Sequence, residues 1–139
     1  MVNNAALGDG GAIYNRAHSS DPGHVTLINS TLSGNRASGR GGAVYNGTVT
    51  AGTSSGVFQS NNSTISNNLA GGDGGIFIDG VATLHNTIVP GNVTTKSGQD
   101  SPSDIVGSVI AHSSLVGDTS GLTFSQNSSD NLWDVAPLF

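Results

Sequence analysis

The sequence contains no cysteine, no glutamate and a single lysine, Lys96. Without cysteine there is no disulfide framework, no thiolate nucleophile and no cysteine-based zinc site. All nine acidic residues are aspartates, and only 9 % of the 139 residues are charged, against roughly 25 % in ordinary soluble domains. Four basic residues face nine acidic ones, for a net charge of −5. That balance argues against nucleic acid or an anionic membrane as a partner. No apolar run approaches the roughly 20 residues of a membrane-spanning helix. The start, Met1-Val2-Asn3-Asn4, lacks the basic and apolar regions of a signal peptide. Residues that favour helices are scarce or modest, which excludes a helical bundle.

What is there is glycine, serine, asparagine and threonine, which make up nearly half the chain. Disordered chains are poor in β-branched residues and rich in charge, whereas here Val, Ile and Thr recur in short regular bursts. The length fits one domain, and the pattern is a repeat. One block reads Gly10-Gly11-Ala12-Ile13-Tyr14-Asn15, then Gly41-Gly42-Ala43-Val44-Tyr45-Asn46, then Gly74-Gly75-Ile76-Phe77-Ile78-Asp79. A second begins at Asn29-Ser30-Thr31-Leu32, at Asn62-Ser63-Thr64-Ile65 and at Asn86-Thr87-Ile88-Val89. Asn29 precedes Gly41 by 12 residues, and Asn62 precedes Gly74 by the same 12. The shortest return, Gly74 to Asn86, is also 12, which sets a basic unit of 24 residues. The other two returns carry extra residues within Arg16–His24 and Gly47–Gly56, stretches of loop-forming composition.

A 24-residue unit with short apolar bursts cannot bury a face alone, so units must stack. Val25-Thr26-Leu27 and Ala82-Thr83-Leu84 alternate as strands do. Three short strands and three turns fit each unit, which reads as one coil of a parallel β-helix. About five coils are expected, stacked at about 4.8 Å each for a length of about 24 Å. Stacking predicts columns of like residues. Ile13, Val44 and Phe77 should form one apolar column, and Leu32, Ile65 and Val89 another. Asn35, Asn68 and Asn92 should form an amide ladder. The paired glycines mark a turn that needs positive φ or tolerates no Cβ. One domain spans 1–139, with regular coils over 1–92 and irregular C-terminal coils and a cap over 93–139.

These blocks resemble the right-handed parallel β-helix repeats of large bacterial surface and secreted proteins. They are most similar to the group carrying the choice-of-anchor C-terminal module, whose repeats read GGGIYN…LTNSTISGN. The GGAI and FxxN repeats of polymorphic outer-membrane proteins are a more distant likeness. The tail follows that module's order through Ser103-Asp104-Ile105-Val106-Gly107, Ser114-Leu115-Val116-Gly117-Asp118 and Asp130-Asn131-Leu132-Trp133. It departs at Leu122, where a cysteine is common, and at Ala136, where an aspartate precedes the Pro-Leu. The resemblance implies right-handed coiling and an extracellular or cell-surface setting. Its members are much longer, so the chain reads as fragment-sized. No settled activity comes with it, and fold alone does not give function.

Candidate chemistry follows from the polar residues. Polysaccharide lyases on such scaffolds use clustered carboxylates for Ca²⁺ with an Arg or Lys base, and glycosidases use a carboxylate pair. Here the aspartates are scattered and no catalytic residue is assigned. Gly8-Asp9-Gly10-Gly11 and Gly72-Asp73-Gly74-Gly75 faintly resemble Ca²⁺-binding β-roll turns, but the tandem nonapeptide is absent. Arg40 lies between them in register, so Asp9, Arg40 and Asp73 read as a surface charge ladder that pins register. The first insertion gathers Arg16, His18, Asp21 and His24. Beside the second insertion it would frame a shallow groove where His and Asp could ligate a metal or Arg and His bind a sugar acid, since function on solenoids tends to sit where loops leave the stack. The competing reading is a solvated turn around Asp21-Pro22-Gly23. His85 and His112 read as surface residues. The threonines build no continuous Thr-x-Thr column, which argues against an ice-binding face.

The expected function is therefore a non-catalytic extracellular or cell-surface β-helix segment that binds a glycan or partner weakly along a loop-bearing edge. A polysaccharide-active enzyme is the alternative. No cofactor is expected, with Ca²⁺ as the alternative. The ends are expected to differ. The first coil should offer an open edge with Leu7, Ile13 and Tyr14 close by, favouring self-association. Leu132-Trp133 and Pro137-Leu138-Phe139 should fold over the last coil as a plug.

Overall fold

The computed structural model describes residues 1–18, 21–48 and 55–135. Among them there is no helix, and the strands stack in parallel apart from one antiparallel hairpin. The protein is a parallel β-helix.

Each regular coil has four strands rather than the three expected. The first wall stacks Thr31–Ser33, Thr64–Ser66, Ile88–Val89, Leu115–Val116 and Leu132–Trp133. The second stacks Ala5–Ala6, Arg36–Ala37, Leu69–Ala70 and Val93–Thr94. The third holds Ile13–Arg16, Val44–Gly47 and Ile76–Ile78, and the fourth His24–Ile28, Val57–Asn61 and Val81–His85. The long strand Ile105–His112 pairs with Ile76–Ile78 at one end and Val81–His85 at the other, so walls three and four belong to one sheet. Corner chemistry explains the extra strand. In the shortest coil, Asp79-Gly80 alone separates walls three and four. In the next coil even that is gone, and Gly107, at φ 122°, takes the bend inside a continuous strand.

The two insertions leave the stack at this same corner in the first two coils, between Arg16 and His24 and between Gly47 and Val57. Residues 19–20 and 49–54, within them, lie outside the described residues. A third excursion was not expected. Val93–Thr94 turns back through residues 95–100 and pairs antiparallel with Ser101–Pro102, a hairpin on the second wall.

Inside the coils, alternate residues bury. Leu32, Ile65, Val89 and Val116 form one continuous core column. The other expected column is corrected. Val44 pairs with Ile76, not Phe77, and the inward series is the half-buried Ile13 followed by the buried Val44, Ile76 and Ile105. The third coil lacks one residue here. The N–H groups of Ala43 and Val44 both donate to the single carbonyl of Gly75, at 2.8 and 3.2 Å, a bulge that absorbs the difference. Phe77 therefore faces outward. The first glycine of each pair has φ of 67–72°, and a Cβ on Gly75 would lie 2.3 Å from that of Asn92. Only glycine fits both demands.

Buried polar side chains bond from coil to coil. Asn4 Nδ2 donates to Asn35 Oδ1 at 2.8 Å, Asn35 to Asn68 at 2.9 Å, Asn68 to Asn92 at 2.8 Å, and Asn92 to Asp104 Oδ1 at 2.8 Å. The same oxygens accept the backbone N–H of the preceding member. At the turn into the first wall, Asn29, Asn62 and Asn86 adopt φ of 47–50°, which asparagine tolerates better than most residues. Ser63 and Ser114 Oγ then accept the N–H of Ser30 and Thr87. Among the described residues every buried side-chain polar atom has a partner.

The tail extends the stack. Leu132–Trp133 pairs with Leu115–Val116 as a further strand, and Trp133 packs edge-on against Phe124 at 4.8 Å. Pro137, Leu138 and Phe139, expected in a plug, lie outside the described residues.

Candidate binding surface

Three polar patches decorate the outside. The first is the loop corner. Arg16, His18, Asp21 and His24 are all exposed. His18 and Asp21 exchange backbone hydrogen bonds, and Asp21 Oδ1 accepts the N–H of Gly23 at 3.1 Å. The Asp21 carboxylate is thus engaged by its own turn. Arg16 stands beside Gly47 and His24 beside Val57 in register. Among the described residues no three His, Cys, Asp or Glu side chains come together as metal ligands.

The second patch lies along the third wall. Arg40 Nη2 contacts Asp9 Oδ2 at 3.2 Å, while Asp73 pairs with Lys96 at 2.8 Å. The column read from spacing as Asp9, Arg40 and Asp73 is in the structure two ion pairs. The Arg40 guanidinium also sits 5.0 Å from the Tyr45 ring centre and 4.5 Å from that of Phe77. Burial works against the Arg40 charge, but its hydrogen bond to Asp9 and nearby charges outweigh it and raise its pKa. Burial likewise pushes the Tyr45 hydroxyl above its ordinary range, against the pull of Arg40. Tyr14, Tyr45 and Phe77 stack face to face at 5.0 and 5.4 Å. Their faces cover one another, so the stack braces the coils and only Tyr14 is half-exposed.

The third patch is concave, and residue spacing gave no sign of it. Over the second wall lies a cavity of about 390 Å³, lined by Ala6, Leu7, Arg36, Ser38, Leu69 and Thr95 among others. A neighbouring cavity of about 330 Å³ shares Arg36 and Leu69 and reaches Asn67 and Asp100. Thr95 and Asp100 are the two ends of the hairpin loop, so the hairpin forms one bank of a groove whose floor is the stacked wall. Arg36 and Asp100 are exposed, and neither makes an ion pair among the described residues. The groove therefore offers one cation, one anion and amide and hydroxyl groups around a small apolar floor.

Residues 1–16 and 29–47 match the Chlamydia polymorphic membrane protein repeat. The matched segments carry the second and third walls of the first two coils and pass over the first loop corner. What this supports is a β-helix repeat of a bacterial surface-protein type. Comparison with curated proteins and with solved structures finds no match. No helix among the described residues is long and apolar enough to cross a membrane.

Proposed function

We propose that the chain is a segment of a cell-surface β-helix that binds a glycan, without cleaving it, in the groove between the second wall and the hairpin. The observation that carries this reading is the pairing of an uncommitted guanidinium, Arg36, with a concave surface built by a loop that leaves the stack. Guanidinium binds carboxylates through two parallel N–H donors, so a sugar acid in an extended chain is the favoured ligand. Asn67, Ser38, Thr95 and Asp100 supply hydroxyl partners, and Leu69 and Leu7 an apolar contact for a sugar ring. A shallow, open groove of this kind binds weakly. The loop corner with Arg16 and His18 offers groups for the same class of ligand.

The test is a panel of acidic and neutral glycans assayed for retention and for reducing-end or unsaturated products. Retention of acidic chains, weakened tenfold or more by Arg36→Ala and unchanged by Arg16→Ala, is the expected result. Loss on Arg16→Ala alone would move the site to the loop corner. Product formation would replace binding with the enzymatic reading.

A further inference from the structure

The fourth wall carries a feature the groove does not use. Val81–His85 and Ile105–His112 pair in parallel with His85 directly opposite His112. Their inward neighbours Leu84 and Ala111 are buried at 1 % and 0 % exposure, so alternation turns both imidazoles outward. The rings stack at 4.9 Å with 15° between their planes. The column continues from Asn61 on one side to Ser129 on the other. Ser129 Oγ lies 3.0 Å from His112 Nδ1.

We propose that His85 and His112 form a binding site for a divalent transition-metal ion of the zinc, nickel or copper type. Three physical points converge on it. Neutral imidazole is the commonest protein ligand for these ions. Two rings side by side on hydrogen-bonded strands can turn out of their stack about the side-chain torsions and bring one nitrogen each to the about 2.0–2.1 Å of a shared ion. The contact with Ser129 engages Nδ1 of His112, which leaves Nε2 as the solvent-facing ligand, the outer hydrogen bond that orients metal-binding histidines generally. Both strands are pinned from below by core side chains, so the pair is held together before the ion arrives. Water completes the coordination, because two protein ligands leave positions open.

The probe is Zn²⁺ or Ni²⁺ added to the full chain, followed by calorimetry and by the ring resonances of the four histidines. One ion per chain should bind saturably, shifting His85 and His112 and leaving His18 and His24 unmoved. His85→Asn and His112→Asn should each weaken binding tenfold or more with an unchanged β-rich circular dichroism spectrum. Ser129→Ala should weaken it by a smaller factor. His24→Asn, on the same wall, should change nothing. Binding that survives both single substitutions, or that shifts His18 and His24 instead, overturns the site. Glycan retention is read independently, so either result leaves the groove to its own test.

Discussion

Two columns of polar side chains run along this solenoid, one inside and one outside, and they hold the coils in different ways. Inside, Asn4, Asn35, Asn68, Asn92 and Asp104 link successive coils through side chains that are buried from Asn35 onward. Each interior amide satisfies both a side-chain and a backbone donor of its neighbour. Outside, Asp9–Arg40 and Asp73–Lys96 repeat at the matching turn and stay partly open to water. Buried polar groups are costly only when orphaned, whereas exposed ion pairs contribute about 0–1 kcal/mol. The same idea, a polar residue repeated once per coil, therefore specifies register on the inside and decorates it on the outside.

The largest effect expected is on the core itself. Ile76→Asp should unfold the chain, because it places an unpaired charge at a fully buried position. Phe77→Ser, one residue later, should leave it folded with a modest loss from the aromatic stack. Denaturant melts of the two variants separate the bulged register from a simple alignment of the glycine pairs. Next, Asn68→Ala removes the acceptor of Asn35 and the donor to Leu32 and Asn92. With each orphaned group costing about 1–3 kcal/mol, a loss of about 3 kcal/mol or more is expected in the same melts.

The end of the interior column makes the stability pH-dependent. Burial pushes the Asp104 carboxyl above its ordinary range, although N–H donors from Asn92 and Asp118 oppose the shift, and the Asp118 charge adds to it. A pKa raised in the folded state means the group favours folding below the ordinary carboxylate range and loses that contribution as pH rises through its raised value. Denaturation midpoints across that window should fall for the wild type relative to Asp104→Asn. The smallest effect belongs to the exterior. Arg40→Ala should cost about 0–1 kcal/mol and become smaller still in high salt.

Much of the fold was legible because glycine pairs and Asn-Ser/Thr turns recur at a constant 12-residue offset, and equal offsets in a solenoid mean stacked positions. The failures have local causes. Phe77 was read into the core because the third coil omits one residue after its glycines, which the Gly75 bulge conceals. Asp104 did not read as the neighbour of Asn92 because the hairpin intervenes and the residue type changes. The groove was invisible for the same reason, since Arg36 and Asp100 line one cavity through a loop that no repeat announces. His85 and His112 are 27 residues apart, not 24, so their register emerges only once the continuous strand Ile105–His112 is seen.

The central claim, that the inside column clamps the coils and the outside one does not, is tested most directly by native-state hydrogen exchange. The backbone N–H groups of Asn35, Asn68 and Asn92 donate to side-chain oxygens of the next member of the column, and the N–H of Arg40 donates to Asp9 Oδ1 in the same manner. The first three should exchange only through global unfolding, with a denaturant dependence equal to that of the whole chain. Arg40 should exchange through local opening, faster and nearly independent of denaturant. Equal protection at the two columns, or fast exchange at Asn68, would contradict the account.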